Sequence, residues 1–323
     1  MSDATAPQFD AAADSRPRIG RSLWADAWRR LWRDRGAMLC LAIIAVYVAT
    51  SVGVAIYEVV AAHATAVPTF SQMSDYQRAN HPPSLESWHL WLGTDWAGRS
   101  VLVKTIMGAK VSLTVGLMAN VIAVPLGTAL GAIAGFFGRR LDDAIVWLYT
   151  TLSSIPGIIL LIAMKYAFKD VTVLGLDLTG IHGIYVALGV ISWVGMCRLV
   201  RAEVMKIREL DYVTAARAVG VRRGAILLRH VVPNVFHLGI IRFSLGFVTA
   251  VHSEVILSYL GLGVAPGTPS WGTMINAARM DLTVGRWWEA TAAVAAMFLL
   301  VLALSIFGDR LRDALDPKLR NAG

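Results

Sequence analysis

Charge is scarce in this chain. Of its 323 residues only 16% are charged while 56% are hydrophobic, and the mean hydropathy is +0.58. Such a composition excludes an ordinary soluble domain and favours a membrane protein. Cysteine is nearly absent. Cys40 and Cys197 each lie in or at the edge of an apolar run, without CxxC or metal-ligand spacing, so packing is their expected role. No GxxxxGK[ST] occurs: Gly108-Ala109-Lys110 lacks the glycine that should precede it and the Ser or Thr that should follow, so the chain has no nucleotide site of this kind. HExxH and GxSxG are missing too, which leaves hydrolysis and metal chemistry without a constellation. The formal net charge of +8 would suit nucleic acid. The positive residues, however, sit between apolar runs rather than along one soluble face, so membrane topology explains them and no nucleic-acid partner is expected.

What the chain does have is six apolar segments in order. Residues 1–20, rich in Ala, Asp and Ser, read as a disordered tail. In 21–36, Trp24, Trp28, Leu31 and Trp32 recur at helical spacing with Arg29, Arg30 and Arg33 elsewhere on the helix, which predicts an interfacial helix; the alternative is a plain extension of the first span. Span one covers about Ala37 to Tyr57. It is longer than a signal-peptide core and lacks a small-residue cleavage site, so it reads as uncleaved. An external loop follows over 61–110, with Trp88, Trp91, Trp96 and the stretch LGTDWAGRS from Leu92 to Ser100. Span two, about Val111 to Phe137, carries Gly127, Gly131 and Gly135 four apart, a small-residue face for close helix packing. Span three, Ala144 to Phe168, should be kinked at Pro156. Span four covers about Ile181 to Val200, and span five about Val235 to Leu260. A Gly- and Pro-rich loop over 261–272 leads to span six, Trp287 to Phe307, and 309–323 form a charged tail.

Lysine and arginine are unequally shared between the two sides. With the N-terminus inside, one side holds the N-terminal arginines, Arg139 and Arg140, the eight basic residues from Arg198 to Arg229, and the basic tail. The other keeps only Arg78, Arg99, Lys104, Lys110, Lys165, Lys169, Arg279 and Arg286. This positive-inside pattern puts both termini and the segment between spans four and five in the cytoplasm.

That segment, DYVTAARAVGVRRGAILLRHVVPN from Asp211 to Asn234, is the most informative in the chain. Ala215, Ala216 and Ala218 give one helix a small face, Gly220 suits a sharp turn, and a shorter helix follows that Pro233 should stop. A basic loop with small residues between two membrane spans reads as a docking surface. Among ionisable residues within the spans, Arg242, His252, Glu254 and Glu289 stand out, because a charge in hydrocarbon costs on the order of 2.5–3.5 kcal/mol. His252 and Glu254 are two apart and point to different faces. Glu254 either lines a water-filled path or makes an interhelical hydrogen bond.

These stretches resemble a known family: the permease subunits of bacterial ABC importers of the oligopeptide, dipeptide and nickel type, specifically the second, "C" permease. Thr214 to Asn234 is similar to the family's cytoplasmic EAA loop, with Ala215, Ala216, Gly220 and Pro233 on motif positions and Thr214 where the naming Glu would stand. LGTDWAGRS resembles the LGTDxxGRD element, with Ser100 in place of the usual Asp. Ser253 to Gly272 and Gly308 to Arg320 resemble the closing blocks, although 286–289 lack a proline-glycine pair expected early in span six. The resemblance implies an all-α protein of the bacterial inner membrane. It would have six transmembrane helices, an N-terminal interfacial helix, a permease domain over 37–308 and a coupling loop over 201–234. Asp211, Thr214, Ala215, Ala216, Gly220 and Pro233 would meet an ATPase; His252 and Glu254 are the candidates for the path. The implied partners are a homologous permease, two ATPases that bind the ATP and magnesium, an external solute-binding protein and lipid. Dipeptides, longer oligopeptides and nickel complexes are all possible cargoes. A stand-alone secondary transporter would show internal inverted repeats, and a membrane enzyme would need clustered His, Asp or Glu within the spans; neither pattern is present.

Overall fold

In lipid every backbone polar group must be paired within the protein, so long apolar runs become helices. A computed structural model of the chain describes residues 23–63, 68–173, 175–264 and 267–315. Helix α1 spans Leu23–Arg33, α2 Arg35–His63, α3 Val101–Phe137, α4 Arg139–Ser153 and α5 Gly157–Ala167. A two-residue hairpin, Thr172–Val173 against Leu176–Asp177, precedes α6 (Ile181–Ile207). Then come α7 (Asp211–Ala218), α8 (Arg223–Ile226), α9 (Val232–Tyr259), α10 (Trp271–Thr283) and α11 (Trp288–Leu315). Among the described residues five helices are long and apolar enough to cross a membrane: α2, α3, α6, the run Arg223–Tyr259 and α11. The sixth candidate is the pair α4 and α5, bent by 93° at the break between them.

Several expected boundaries move. The loop over 61–110 is shorter at both ends, because α2 runs to His63 and α3 begins at Val101, so Lys104 and Lys110 are helical. Their charges hid the start of the span; Lys110 pairs with Glu58 and Lys104 with two carboxylates. Span three is not a kinked helix but two helices, since Pro156 supplies no N–H and sits as the N-cap of α5. The charged tail over 309–323 begins as helix, α11 continuing to Leu315. Between spans five and six the Gly- and Pro-rich loop gives way to α10, whose start is capped by Ser270 accepting from the Thr273 N–H at 3.1 Å. The expected tail over 1–20 lies outside the described residues, as do 316–323.

The first helix falls where the aromatic spacing put it. Leu31 is buried, Trp28 and Trp32 are exposed and meet edge to face, and Asp34 caps α2 through the N–H groups of Gly36 and Ala37. Arg310 of α11 pairs with the same Asp34 at 3.3 Å, tying the first helix to the last.

The glycine stripe of α3 packs on α6. A Cβ at Gly127, Gly131 or Gly135 would lie 2.6, 2.5 or 2.7 Å from the carbonyl oxygens of Trp193, Cys197 and Arg201, so only hydrogen fits. Gly131→Ala is therefore expected to destabilise the subunit by about 1–3 kcal/mol through overpacking, read as a lower melting temperature in detergent. Gly53→Ala on α2, where an added Cβ meets nothing within 4 Å, should leave melting unchanged or raise it.

Candidate docking surface

The segment Asp211 to Asn234 folds as a helix, a turn and a second helix at one end of the bundle, here the α7 end. Val213 anchors α7. It is fully buried in a cluster with Phe136 of α3, Val200 and Val204 of α6, and Ile226 and Val231 beyond the turn. Asp211 sits in the first turn, where the helix dipole favours an acid. The turn is a Schellman motif: Val221 N–H donates to Ala216 O at 3.1 Å and Gly220 N–H to Arg217 O at 3.0 Å. Gly220 has φ +83°, and nothing lies within 4 Å of where its Cβ would be. The left-handed backbone, not crowding inside the chain, is what requires glycine there.

Asp211, Thr214, Ala215, Ala218, Val219 and Gly220 are exposed. Ala216 is half-buried and packs against the cluster beneath, so the three alanines do not share one open face. The arginines divide as well. All four of Arg217, Arg222, Arg223 and Arg229 are exposed, but Arg217 alone of them lies over an aromatic ring among the described residues, Phe136 at 5.5 Å.

Pro233 does not stop the second helix. The chain from Arg223 to Tyr259 is one helical run, and a π-turn at Leu227–Val231 takes up the missing proline N–H, with Val232 N–H donating to Leu227 O five residues back. Asn234 Nδ2 donates to His230 O at 2.6 Å and to the Tyr212 hydroxyl at 3.1 Å, which ties α7 to α9. The underside is braced by arginines. Arg208 Nη1 donates to Gly135 O at 2.9 Å, closing the end of α3, and Arg201 grips Asp142 of α4 through two bonds of 2.5 and 2.7 Å. Whatever moves α7 therefore moves the ends of α3, α4 and α6.

His252 and Glu254 are separated, as their spacing required. His252 is exposed; Glu254 is wholly buried, accepting from Ser258 Oγ at 2.7 Å and Ser112 Oγ of α3 at 3.4 Å. The Ser112 contact joins α3 to α9, the interhelical hydrogen bond that was one of the two roles the sequence left open. Glu254→Gln keeps an acceptor for one hydroxyl and offers the other an amide N–H that its oxygen can accept, so it preserves shape and hydrogen bonding without the carboxylate and is expected to leave uptake within about twofold of the parent. A larger loss in initial uptake rate would return Glu254 to the path. Arg242 lies half-buried against Gly195 of α6.

Sequence reasoning missed a buried charge clamp at the opposite end. In LGTDWAGRS the Asp95 side chain is fully buried; its Oδ1 accepts from the N–H groups of Ala97 and Arg99, at 2.9 and 3.0 Å. Its Oδ2 accepts from Arg99 Nε at 3.0 Å and Lys104 Nζ at 2.9 Å. Lys104 then reaches Glu289 Oε1 on α11 at 2.6 Å, and Trp288 Nε1 donates to Thr94 O at 2.9 Å. Gly98 makes the loop possible: at φ +73°, a Cβ would fall 1.7 Å from Asp75 O. Burial would raise the Asp95 pKa, but the Lys104 charge and the hydrogen bonds from Arg99 and Lys104 outweigh it and hold the carboxyl below its ordinary value. Its stabilising contribution is complete above the unfolded carboxylate pKa of about 3.9 and is lost as pH falls through the lowered folded value. Glu289 and LGTDWAGRS each stood out in the sequence, but Lys104, which joins Asp95 to Glu289 from 185 positions away, did not.

A bundle of long apolar helices with an exposed, internally braced helix and turn at one end defines a multi-pass membrane protein. Residues 127–321 match the family described as "Binding-protein-dependent transport system inner membrane component", and residues 22–83 match "N-terminal TM domain of oligopeptide transport permease C". The chain belongs to the first of these families, and it is an inner-membrane permease subunit of an ABC importer. The oligopeptide transport system permease protein OppC of Haemophilus influenzae is 35% identical over 304 residues, covering 93% of this chain and 90% of that protein. The dipeptide permease DppC of Bacillus subtilis is 33% identical over 309 residues, covering 95% and 90%. The glutathione permease GsiD of Pectobacterium atrosepticum is 33% identical over 301 residues, covering 93% of each.

Proposed function

We propose that this subunit forms half of the translocation path for peptides, most specifically dipeptides or short oligopeptides, and that α7 is the coupling helix seated in a groove of a cytoplasmic ATPase. The observation that carries the reading is the exposed α7 surface set on the braced ends of α3, α4 and α6. Small residues and an open Gly220 let another backbone approach, while Val213 seats α7 on α3 and α6, and Arg201 and Arg208 tie the end of α6 to α4 and α3, so a push on α7 swings whole spans. Rigid-body transmission of this kind needs no chemistry in this chain. ATP and magnesium belong to two ATPase subunits. A homologous permease completes the path, and an external solute-binding protein delivers cargo at the Asp95 end. Both termini and α7 are cytoplasmic, in line with the excess of Lys and Arg on that side.

The names of the relatives, which carry oligopeptides, dipeptides and glutathione, support a peptide cargo. The test is uptake of labelled dipeptides and tetrapeptides by cells lacking this gene alone, with and without a plasmid copy. Uptake restored by the copy is the expected result. Normal peptide uptake in the deletion strain, combined with loss of uptake of some other solute, would overturn the peptide reading.

A further inference from the structure

Two arginines on the membrane-spanning helices have no acid to answer them. Arg242 of α9 lies half-buried against α6: a Cβ at Gly195 would fall 2.1 Å from its Nη2, so the missing side chain gives the guanidinium its place. Among the described residues Arg242 makes no ion pair and no hydrogen bond. Arg198 stands three residues further along α6 and leans to the other flank. It donates to Ser153 Oγ of α4 at 3.0 Å and lies 4.8 Å over the Tyr149 ring, and it too has no carboxylate partner among the described residues.

Residues three apart on a helix face the same way, so Gly195 and Arg198 share one side of α6. That side is open, since Arg198, Leu199 and Ala202 are exposed, whereas α3 packs on the side of Trp193, Cys197 and Val200. Arg198 does not reach toward the α7 end. Arg201 meets Asp142 near the start of α4, but Arg198 meets Ser153 at that helix's last residue, so its side chain runs back toward the start of α6. Leu152, next to Ser153, packs with Trp193, which puts both cations about level with residues 193–195 of α6. At 1.5 Å per residue this is roughly 18–21 Å from Ile181, inside a hydrocarbon core about 30 Å thick.

An unanswered cation at that depth needs water or an anion, and two cations flanking one glycine repel each other until an anion lies between them. A planar guanidinium binds a carboxylate through two parallel hydrogen bonds, so the pair suits carboxylates better than a spherical anion. Phospholipid phosphates stay in the headgroup region, outside the hydrocarbon core. We propose that Arg198 and Arg242 form an anion seat over Gly195 that holds carboxylates of the cargo and favours cargo with two of them. The cargo rests on the peptide reading above; the cationic seat does not.

Uptake of two near-isosteric dipeptides, Ala-Glu and Ala-Gln, by the importer reconstituted in liposomes with saturating binding protein tests the cargo. In Arg242→Gln the Ala-Glu to Ala-Gln ratio of initial rates should fall at least about tenfold from the parent's, while Arg242→Lys, which keeps the charge without the fork, should retain more of it. A ratio equal to the parent's in Arg242→Gln would overturn the proposal. So would loss of the partner permease from the purified Arg242→Gln complex, since the arginine would then answer an acid on that subunit. The seat itself is read without substrate at Leu199→Cys, an exposed position one turn from Gly195, with the buried Cys40 and Cys197 of the parent as background. An anionic methanethiosulfonate should outpace a cationic one there, and adding Arg198→Gln with Arg242→Gln should lower that preference at least about tenfold. An unchanged preference would mean that no cationic field reaches water at this face, and the seat would fall. A parent importer that moves neither dipeptide sinks the peptide reading, while the thiol preference still decides the seat.

Discussion

Replacing Lys104 with methionine is expected to be the most destabilising single change at the end of the bundle opposite α7. Among the described residues Lys104 alone joins Asp95 to Glu289, and both carboxylates are enclosed, with side-chain exposures of 0% and 2%. Methionine fills most of the volume but leaves Glu289 without its cation, while Asp95 retains Arg99. Removing one partner of a buried ion pair typically costs about 3–5 kcal/mol, a large share of the 5–15 kcal/mol that holds a folded protein. For a chain of this size that corresponds to a melting temperature lower by about 10 °C, measured by fluorescence-detected size exclusion after heating in detergent. Adding Glu289→Gln to the Lys104→Met chain removes the stranded charge and should recover most of the loss, whereas adding Asp95→Asn should recover little. A Lys104→Met subunit that melts with the parent would mean that Trp288 and Thr94, not the charges, hold the segment to α11.

The asymmetry between what the sequence disclosed and what it hid follows from the range of each interaction. The long spans, the stripe Gly127-Gly131-Gly135, the turn at Gly220 and the first helix depend on neighbours within a few positions, and each is in place. Two prolines were misjudged, for opposite reasons. Pro156 reads as a kink in a continuous apolar run because hydropathy averages over residues and cannot register a 93° change of direction. Pro233 reads as a helix stop, yet the π-turn before it takes up the lost hydrogen bond, and Asn234 supplies a side-chain donor to the His230 carbonyl. Neither compensation leaves a pattern in the sequence. Lys104 and Lys110 shortened the apparent second span because their partners, Glu289 and Glu58, are distant in the chain. The division among Ala215, Ala216 and Ala218 was equally hidden: which alanine faces inward depends on how Val213 seats, and that is set by α3 and α6.

This division is what makes the proposed coupling surface testable without confusing docking with folding. Ala215 and Gly220 are exposed and Ala216 is half-buried against the cluster around Val213. Ala215→Trp should leave membrane insertion and melting close to the parent, yet cost at least about 2 kcal/mol in ATPase binding, a thirtyfold weaker association of the kind seen when a central contact is lost. Gly220→Val should weaken binding too, but with some loss of stability, since a β-branched residue must take φ +83° at a cost of about 1–2 kcal/mol. Ala216→Trp is expected to lower the melting temperature first, because its bulk is driven into the chain's own core. The measurement is titration of the ATPase subunits onto permease held in nanodiscs, alongside ATP hydrolysis and uptake from the same preparations. If Ala215→Trp binds the ATPase and supports uptake as the parent does, α7 is not the docking helix. If binding survives while uptake alone is lost, the contact is made elsewhere and α7 only transmits. The two failures point to different surfaces, which is why the exposed alanine is a sharper probe than the glycine that marks the turn.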